Sequence, residues 1–263
     1  MIGKITYTVK KEVKNFDNIF TTLKLFTNFL LAKINLQIIR LDSSNSLHAF
    51  LLGLKKNRIE INAIYDIGAY KGLWTQQLKK YFPNANYFLF EPNISHNDWL
   101  KKTKSRYFNV LLGDKKKSVL FYSLGGTGDT IFPEHSHTKV KPVRTTQYKL
   151  DSIVRINKLP QADLIKLDAQ GAELRILKGA LSVIKNCKII IMETPVMNYN
   201  PGAPNQLKYL SYMRKLDFIP VQVIDVHRQR NVVVQIDYVF YNKKFYEEIC
   251  GSTKEIPFWT KFI

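Results

Sequence analysis

Cysteine is scarce in this chain of 263 residues: Cys187 and Cys250 are its only two. Their spacing builds neither a disulfide framework nor a metal-ligand pair, which points to a reducing compartment and so to the cytoplasm. An apolar leader core is missing too. The start, MIGKITYTVKKEVKNF, is charged where one would lie, so no secretory leader is expected. No uninterrupted apolar run is long enough to span a bilayer. The nearest approach, residues 19–39, is broken by Lys24, Asn28, Lys33 and Asn35. Leu23, Phe26, Leu30 and Leu31 keep helical spacing there, which predicts an amphipathic helix packed on the domain or touching a membrane surface. Internal repeats and low-complexity linkers are absent.

Acidic residues are also in short supply. Asp and Glu number 21 against 40 Lys and Arg, for a net charge of +19. The basic residues form knots at 55–58, 101–106 and 115–117. Such a surface attracts polyanions and loses its hold in salt. It suits nucleic acid, an anionic membrane face or an acidic glycan, or is simply a solvated surface. Lysine outnumbers arginine, which favours a diffuse field over bidentate readout.

What is present is enough for one large domain with a sizeable core. Residues 1–58 read as a helical N-terminal extension packed on that core, with a break at LDSSNS, 41–46. From residue 59 strands and helices alternate. Strands are predicted at 61–67, 85–90, 107–112, 118–123, 164–167 and 188–192, and helices at 73–81, 173–184 and 206–216. Residues 125–142 read as a long loop. PVQVIDV and VVVQIDYVFYNK read as two antiparallel strands joined through HRQRN. The alternation argues an α/β, doubly wound, mostly parallel sheet with helices on both faces and the antiparallel pair on one edge.

In such sheets ligands bind beyond the carboxyl ends of the strands. YDIGAYKG puts Asp66, Gly68 and Gly72 at the end of the first strand, and FLFEPN puts Glu91 at the end of the second. Gly68 admits close backbone approach, and Gly72 lets a helix start tight against the strand. Glu91 offers a carboxylate to a ribose diol. The middle glycine of a dinucleotide fingerprint is missing, its place taken by Tyr70, so no room is made for a pyrophosphate. A ligand with a ribose, no phosphate and cationic groups fits, and S-adenosylmethionine has those properties. Donor contacts are expected from Asp66, Gly68, Ala69, Tyr70 and Gly72 on the first turn, from Glu91, Pro92 and Asn93 on the second, and from Asp168 at the end of the fourth strand. Asp114 is either an acceptor for the adenine amine or a plain turn aspartate.

YDIGAYKG, FLFEPN, KLDSIV and DLIKLDAQGAELRILKGA, with the terminal VIDVHRQRNVVVQIDYVFYNK, resemble the FkbM-type S-adenosylmethionine-dependent methyltransferases over residues 60 to 243. The resemblance implies a seven-stranded, Rossmann-like methyltransferase fold and O-methylation of a hydroxyl on a polyketide, sugar or glycolipid. Similar proteins often carry Asn where this chain has Tyr70 and Glu where it has Gln170.

Methyl transfer from a sulfonium needs a bound donor, an aligned acceptor and somewhere for the acceptor's proton to go. Asp168 ends the fourth strand, across from Gly68, and is either a catalytic acid or a helix cap. Glu193 ends the fifth. The two would converge on a divalent cation such as Mg, or Glu193 would pair with a lysine. Of the histidines, His227, expected in the last turn, is preferred as base over His135 and His137 of the long loop. The fourth strand ends in Asp168-Ala169-Gln170-Gly171 and lacks the proline pair typical of base-amine methylation. A hydroxyl-bearing small molecule or glycan is therefore the expected partner. The rivals are an RNA ribose 2′-hydroxyl and a non-catalytic binding module that kept the cofactor fold.

Overall fold

A computed structural model describes residues 46–123, 128–132, 141–197 and 202–250. The predicted helix within 19–39 and both histidines at 135 and 137 lie outside those residues. Near-continuous apolar runs build the centre of a sheet buried on both faces. β1 (Ala63–Ile67) is buried throughout, and β7 (Leu164–Leu167) and β8 (Ile189–Pro195) nearly so. Around them stand β2 (Asn86–Phe90), β3 (Arg106–Phe108), β9 (Phe218–Gln229) and β10 (Val232–Asn242). The seven strands run in the order β3-β2-β1-β7-β8-β10-β9. The first five pair in parallel, and β10 is antiparallel to both β8 and the edge strand β9. That is the expected doubly wound sheet with its antiparallel pair at one edge.

Side-chain alternation divides the core in two. Tyr65, Phe88, Phe90, Ile165, Leu167, Ile190 and Met192 face one way, toward α5 (Glu173–Lys178) and α7 (Gln206–Lys215). Ile64, Leu89, Leu164, Ile189, Ile191 and Val239 face the other, toward α1 (Leu47–Lys56), α2 (Leu73–Leu78) and α3 (Asn97–Lys102). α1 buries Phe50, Leu51 and Leu54 in the second cluster. It is begun by Ser46, whose hydroxyl accepts from Ala49 N, and it ends on Lys55 and Lys56, which suit a helix C-terminus.

Three local readings need correcting. Residues 107–112 are not one strand. β3 pairs with β2, while β4 (Leu111–Leu112) leaves for a second sheet, β4-β6-β5, with β5 (Lys117–Phe121) and β6 (Val143–Tyr148). Asn109 makes the break, its amide donating to Glu91 O and Asn97 Oδ1. β6 is a strand that the sequence reading does not place, and α4 (Leu150–Ile156) follows it directly. The predicted helix 173–184 is two, α5 and α6 (Leu181–Ile184), split at Gly179. A Cβ on Gly179 would stand 2.1 Å from Gly113 O, so only glycine lets these two backbones meet. α8 (Lys243–Cys250) closes the described chain. Among the described residues no helix is long and apolar enough to cross a membrane.

Candidate active site

The carboxyl ends of β1, β2 and β7 surround a cavity of about 200 Å³. Two turns of similar build form its rim. After β1, Gly68 takes φ +73° and Tyr70 φ 50°; after β7, Gln170 takes φ 48° and Gly171 φ 98°. Gly68 is obligatory on two counts, because a Cβ there would also lie 1.7 Å from Asp168 O. The left-handed turn aims the Tyr70 N–H at Glu91 Oε2, 2.8 Å away. Asn93 N donates to Glu91 Oε1 at 2.9 Å. Glu91 is thus a buried carboxylate gripped by two backbone N–H groups, each oxygen keeping a lone pair for a diol. Burial pushes its pKa up to about 7 against the pull of those hydrogen bonds.

Of the residues expected to hold the donor, Gly68, Ala69, Tyr70, Glu91, Pro92 and Asp168 line this cavity. Asp66, Gly72, Asn93 and Asp114 do not, and each has a visible reason. Asp66 is fully buried behind the wall and takes a 2.7 Å hydrogen bond from Thr75 Oγ1, tying β1 to α2. Gly72 starts α2 against Thr103, whose Cγ2 would be 2.5 Å from a Cβ. Asn93 donates its amide to Ser123 Oγ and Asp129 Oδ2, fastening the 128–132 segment beside the cavity. Asp114 accepts from Gln147 and pairs with Lys117 on the second sheet.

Four lining residues here escaped the sequence reading. His96 is not a surface histidine. It is 6% exposed, packs edge-on against Tyr70 at 4.5 Å, and has Nδ1 3.8 Å from Glu91 Oε1. The described part of the long loop, residues 128–132, puts Asp129, Thr130 and Ile131 on the donor cavity, with Thr130 Oγ1 donating to Gln170 O.

A second, larger cavity of about 870 Å³ opens on the α1 and α2 side of the sheet. Alternation puts a row of charged side chains on this side of the sheet. Asp66 and Lys166 are register partners on β1 and β7, Glu193 and Asp237 on β8 and β10, and Asp225 on β9 stands opposite Asp237. His48 and Trp74 face this cavity from the helices, and His227 and Gln235 from the sheet. His227 is not in the last turn. The turn is only Arg230-Asn231, both with positive φ (47° and 65°), and His227 lies within β9. Its Nε2 stands 3.7 Å from Asp225 and 3.8 Å from Asp237.

Asp168 and Glu193 do not face each other across open space. The Gln170 amide donates to both, at 2.8 and 3.3 Å, and so joins the two acids. Gln235 donates to Glu193 as well. Lys166 Nζ takes the other side of Asp168, at 3.0 Å. Burial, then the charges of Asp168, Glu173 and Asp237, push Glu193 up to about 9, so it keeps its proton at neutral pH. Burial also pushes Asp237 up to about 6, against the pull of His227. Among the described residues, Glu193, His227 and Asp237 bring ligand atoms within 4.8 Å of one another.

Beneath the second turn, buried Glu173 accepts from Ala169 N, Gly171 N and Tyr209 Oη, fixing the loop that carries Asp168 and Gln170. Glu173 opens α5 yet is 1% exposed, turned back onto the loop ahead of its helix rather than toward solvent.

A family model described as the methyltransferase FkbM domain matches residues 66–220. No curated protein matches. Similar solved structures include precorrin-6y C5,15-methyltransferase of Geobacter metallireducens, at 13% identity over 73% of this chain and 86% of that one, TM-score 0.42. Magnesium protoporphyrin IX methyltransferase of Synechocystis is similar at 10% identity over 77% of both chains, TM-score 0.43. So is 1,6-didemethyltoxoflavin-N1-methyltransferase of Burkholderia thailandensis, at 8% identity over 89% of both, TM-score 0.43.

Proposed function

This chain belongs to the FkbM methyltransferase family and is an S-adenosylmethionine-dependent methyltransferase, and on that premise we propose that it methylates a hydroxyl of a sugar, glycolipid or polyketide-like small molecule. One observation carries the reading. The two cavities share four lining residues, Trp74, Lys166, Asp168 and Gln170, so a donor in the first meets an acceptor in the second at that border. The second cavity presents carboxylates, amides, two histidines and one indole face. That lining suits a compact molecule with several hydroxyls.

In this reading Gly68, Ala69 and Tyr70 hold the donor by backbone and Glu91 takes its ribose. Asp168 accepts the acceptor's proton as the methyl moves. Glu193, protonated at neutral pH, orients rather than abstracts. Asp168 and Glu193 do not fit a shared cation, because the Gln170 amide fills the space between them. A divalent ion would instead be held by Glu193, His227 and Asp237, where it would have to displace the Glu193 proton and would polarise an acceptor hydroxyl. Full activity after chelation would remove the ion from the mechanism.

The test is transfer of labelled methyl from S-adenosylmethionine onto fractionated host glycan, lipid and RNA pools. Label in glycosidase-sensitive or lipid-extractable material is expected. The charge of +19 favours a second reading, an RNA ribose hydroxyl, and nuclease-sensitive label at a fixed nucleotide would establish that instead. We read a cytoplasmic location from the sparse cysteines, and cell fractionation checks it.

A further inference from the structure

The mechanism above makes no use of the one lysine at the border of the two cavities. Lys166 lies two residues before Asp168 on β7, so both project to the same side of the sheet. Its side chain is only 13% exposed. Its Nζ is 3.0 Å from Asp168 Oδ2, 3.3 Å from Gly68 O and 3.9 Å from Asp66 Oδ1. An ammonium has three N–H donors. Two are within hydrogen-bond reach of Asp168 and Gly68, and Asp66 is too far to take the third. Asp66 and Lys166 are register partners, so strand pairing sets where the stem starts, and the contacts to Asp168 and Gly68 hold its charged end. Although burial pulls its pKa down, Asp168 and Asp66 outweigh that and hold it well above the ordinary lysine value. It is cationic wherever the protein is folded.

We propose that Lys166 is a catalytic residue, giving its remaining N–H to the acceptor oxygen and stabilising the negative charge that develops there. This rests on the O-methylation reading. The acceptor's O–H proton passes to the Asp168 carboxylate. The oxygen's electron pair forms the new O–CH₃ bond, the S–CH₃ bond breaks, and its pair stays on sulfur as the sulfonium becomes a neutral thioether. Lys166 keeps its proton throughout. The physical need is local. The acceptor oxygen gains charge beside Asp168 and Asp237, and a fixed cation already bonded to Asp168 opposes that repulsion without any reorganisation.

Two readings of Lys166→Met test it. The first needs no acceptor. Sinefungin carries an ammonium where the donor carries its methyl, whereas S-adenosylhomocysteine carries nothing there. Removing a neighbouring cation should raise the preference for sinefungin over S-adenosylhomocysteine by about tenfold or more in calorimetry. A lysine that serves only as the counter-ion of Asp66 changes both affinities together, and an unchanged ratio overturns the proposal. The second reading is labelled methyl transfer to the extract fraction that wild type labels. A loss of about 10²–10³-fold is expected, as for one lost oxyanion donor, with S-adenosylhomocysteine affinity held near wild type. Labelling at the wild-type rate overturns the proposal and leaves the methyltransferase reading standing. Wild type that binds no S-adenosylhomocysteine overturns both. If Lys166→Met fails to fold, pairing it with Asp66→Asn removes the acid left unpaired, and both ratios are read against Asp66→Asn alone.

Discussion

Glu91 receives two backbone N–H groups before any ligand arrives, and burial holds its pKa near 7. A ribose diol donates to the ionised form, so binding should release a proton in the neutral range. Affinity for S-adenosylhomocysteine is expected to rise with pH through about 7, with proton release measured by calorimetry in buffers of different ionisation heat. Glu91→Gln should flatten that profile and weaken binding by roughly 1.5–3 kcal/mol, as for a hydrogen bond to a charged group. Glu193 gives the opposite kind of pH statement. Its folded pKa, about 9, lies above the unfolded carboxylate value, so its contribution to stability is full below that ordinary value. It is lost as pH rises through about 9. Thermal unfolding should therefore show stability falling as pH rises from the ordinary carboxylate range to about 9 and levelling off beyond it. Glu193→Gln, which mimics the protonated group, should remove that slope and be more stable than wild type at neutral pH. A variant that unfolds in parallel with wild type at every pH would show that Glu193 is not the group responsible.

Strand ends and helix starts were readable where chemistry is local, and opaque where it depends on what approaches from elsewhere. β7 was predicted to the residue because LIKL is bounded by Asp163 and Asp168. Gly68, with an acid two residues before it, marked the donor turn in the sequence itself. Gly179 carried no such mark, since its reason is Gly113 O, brought beside it only by the second sheet. His227 was misplaced because HRQRN reads as one polar turn, whereas the strands pair up to Gln229 and Val232 and leave a two-residue turn. His96 and Gln170 are site residues for reasons that no one-dimensional spacing holds. These differences predict separable glycine effects. Gly68→Ala meets both a positive φ and the Asp168 carbonyl and should cost about 2–4 kcal/mol, with loss of donor binding. Gly53→Ala, inside α1 with nothing within 4 Å of the new Cβ, should stabilise by about 0.4–1 kcal/mol. Chemical denaturation of the two variants side by side checks the contrast, and similar losses in both would sink it.

Across the whole molecule, a strongly basic chain has gathered Asp168, Glu193, Asp225 and Asp237 around one cavity. Outer surface and cavity should therefore answer salt differently. Single-stranded RNA should bind weakly and without sequence preference, with a log–log salt slope near −0.7 per neutralised phosphate. S-adenosylhomocysteine binding should change little over the same range, because its contacts are buried and poorly screened. Parallel slopes for the two ligands in a salt titration would place both on the same surface. The second cavity has one more consequence. The family match runs from 66 to 220, and Ser46, Leu47, His48, Ile224, Asp225, His227, Gln235 and Asp237 all lie outside it. The matched segment carries every residue that lines the first cavity, while half of the second cavity's lining lies before or after it. On the proposed reading acceptor choice is then set largely by those two stretches, and chimaeras exchanged at their borders should carry it with them.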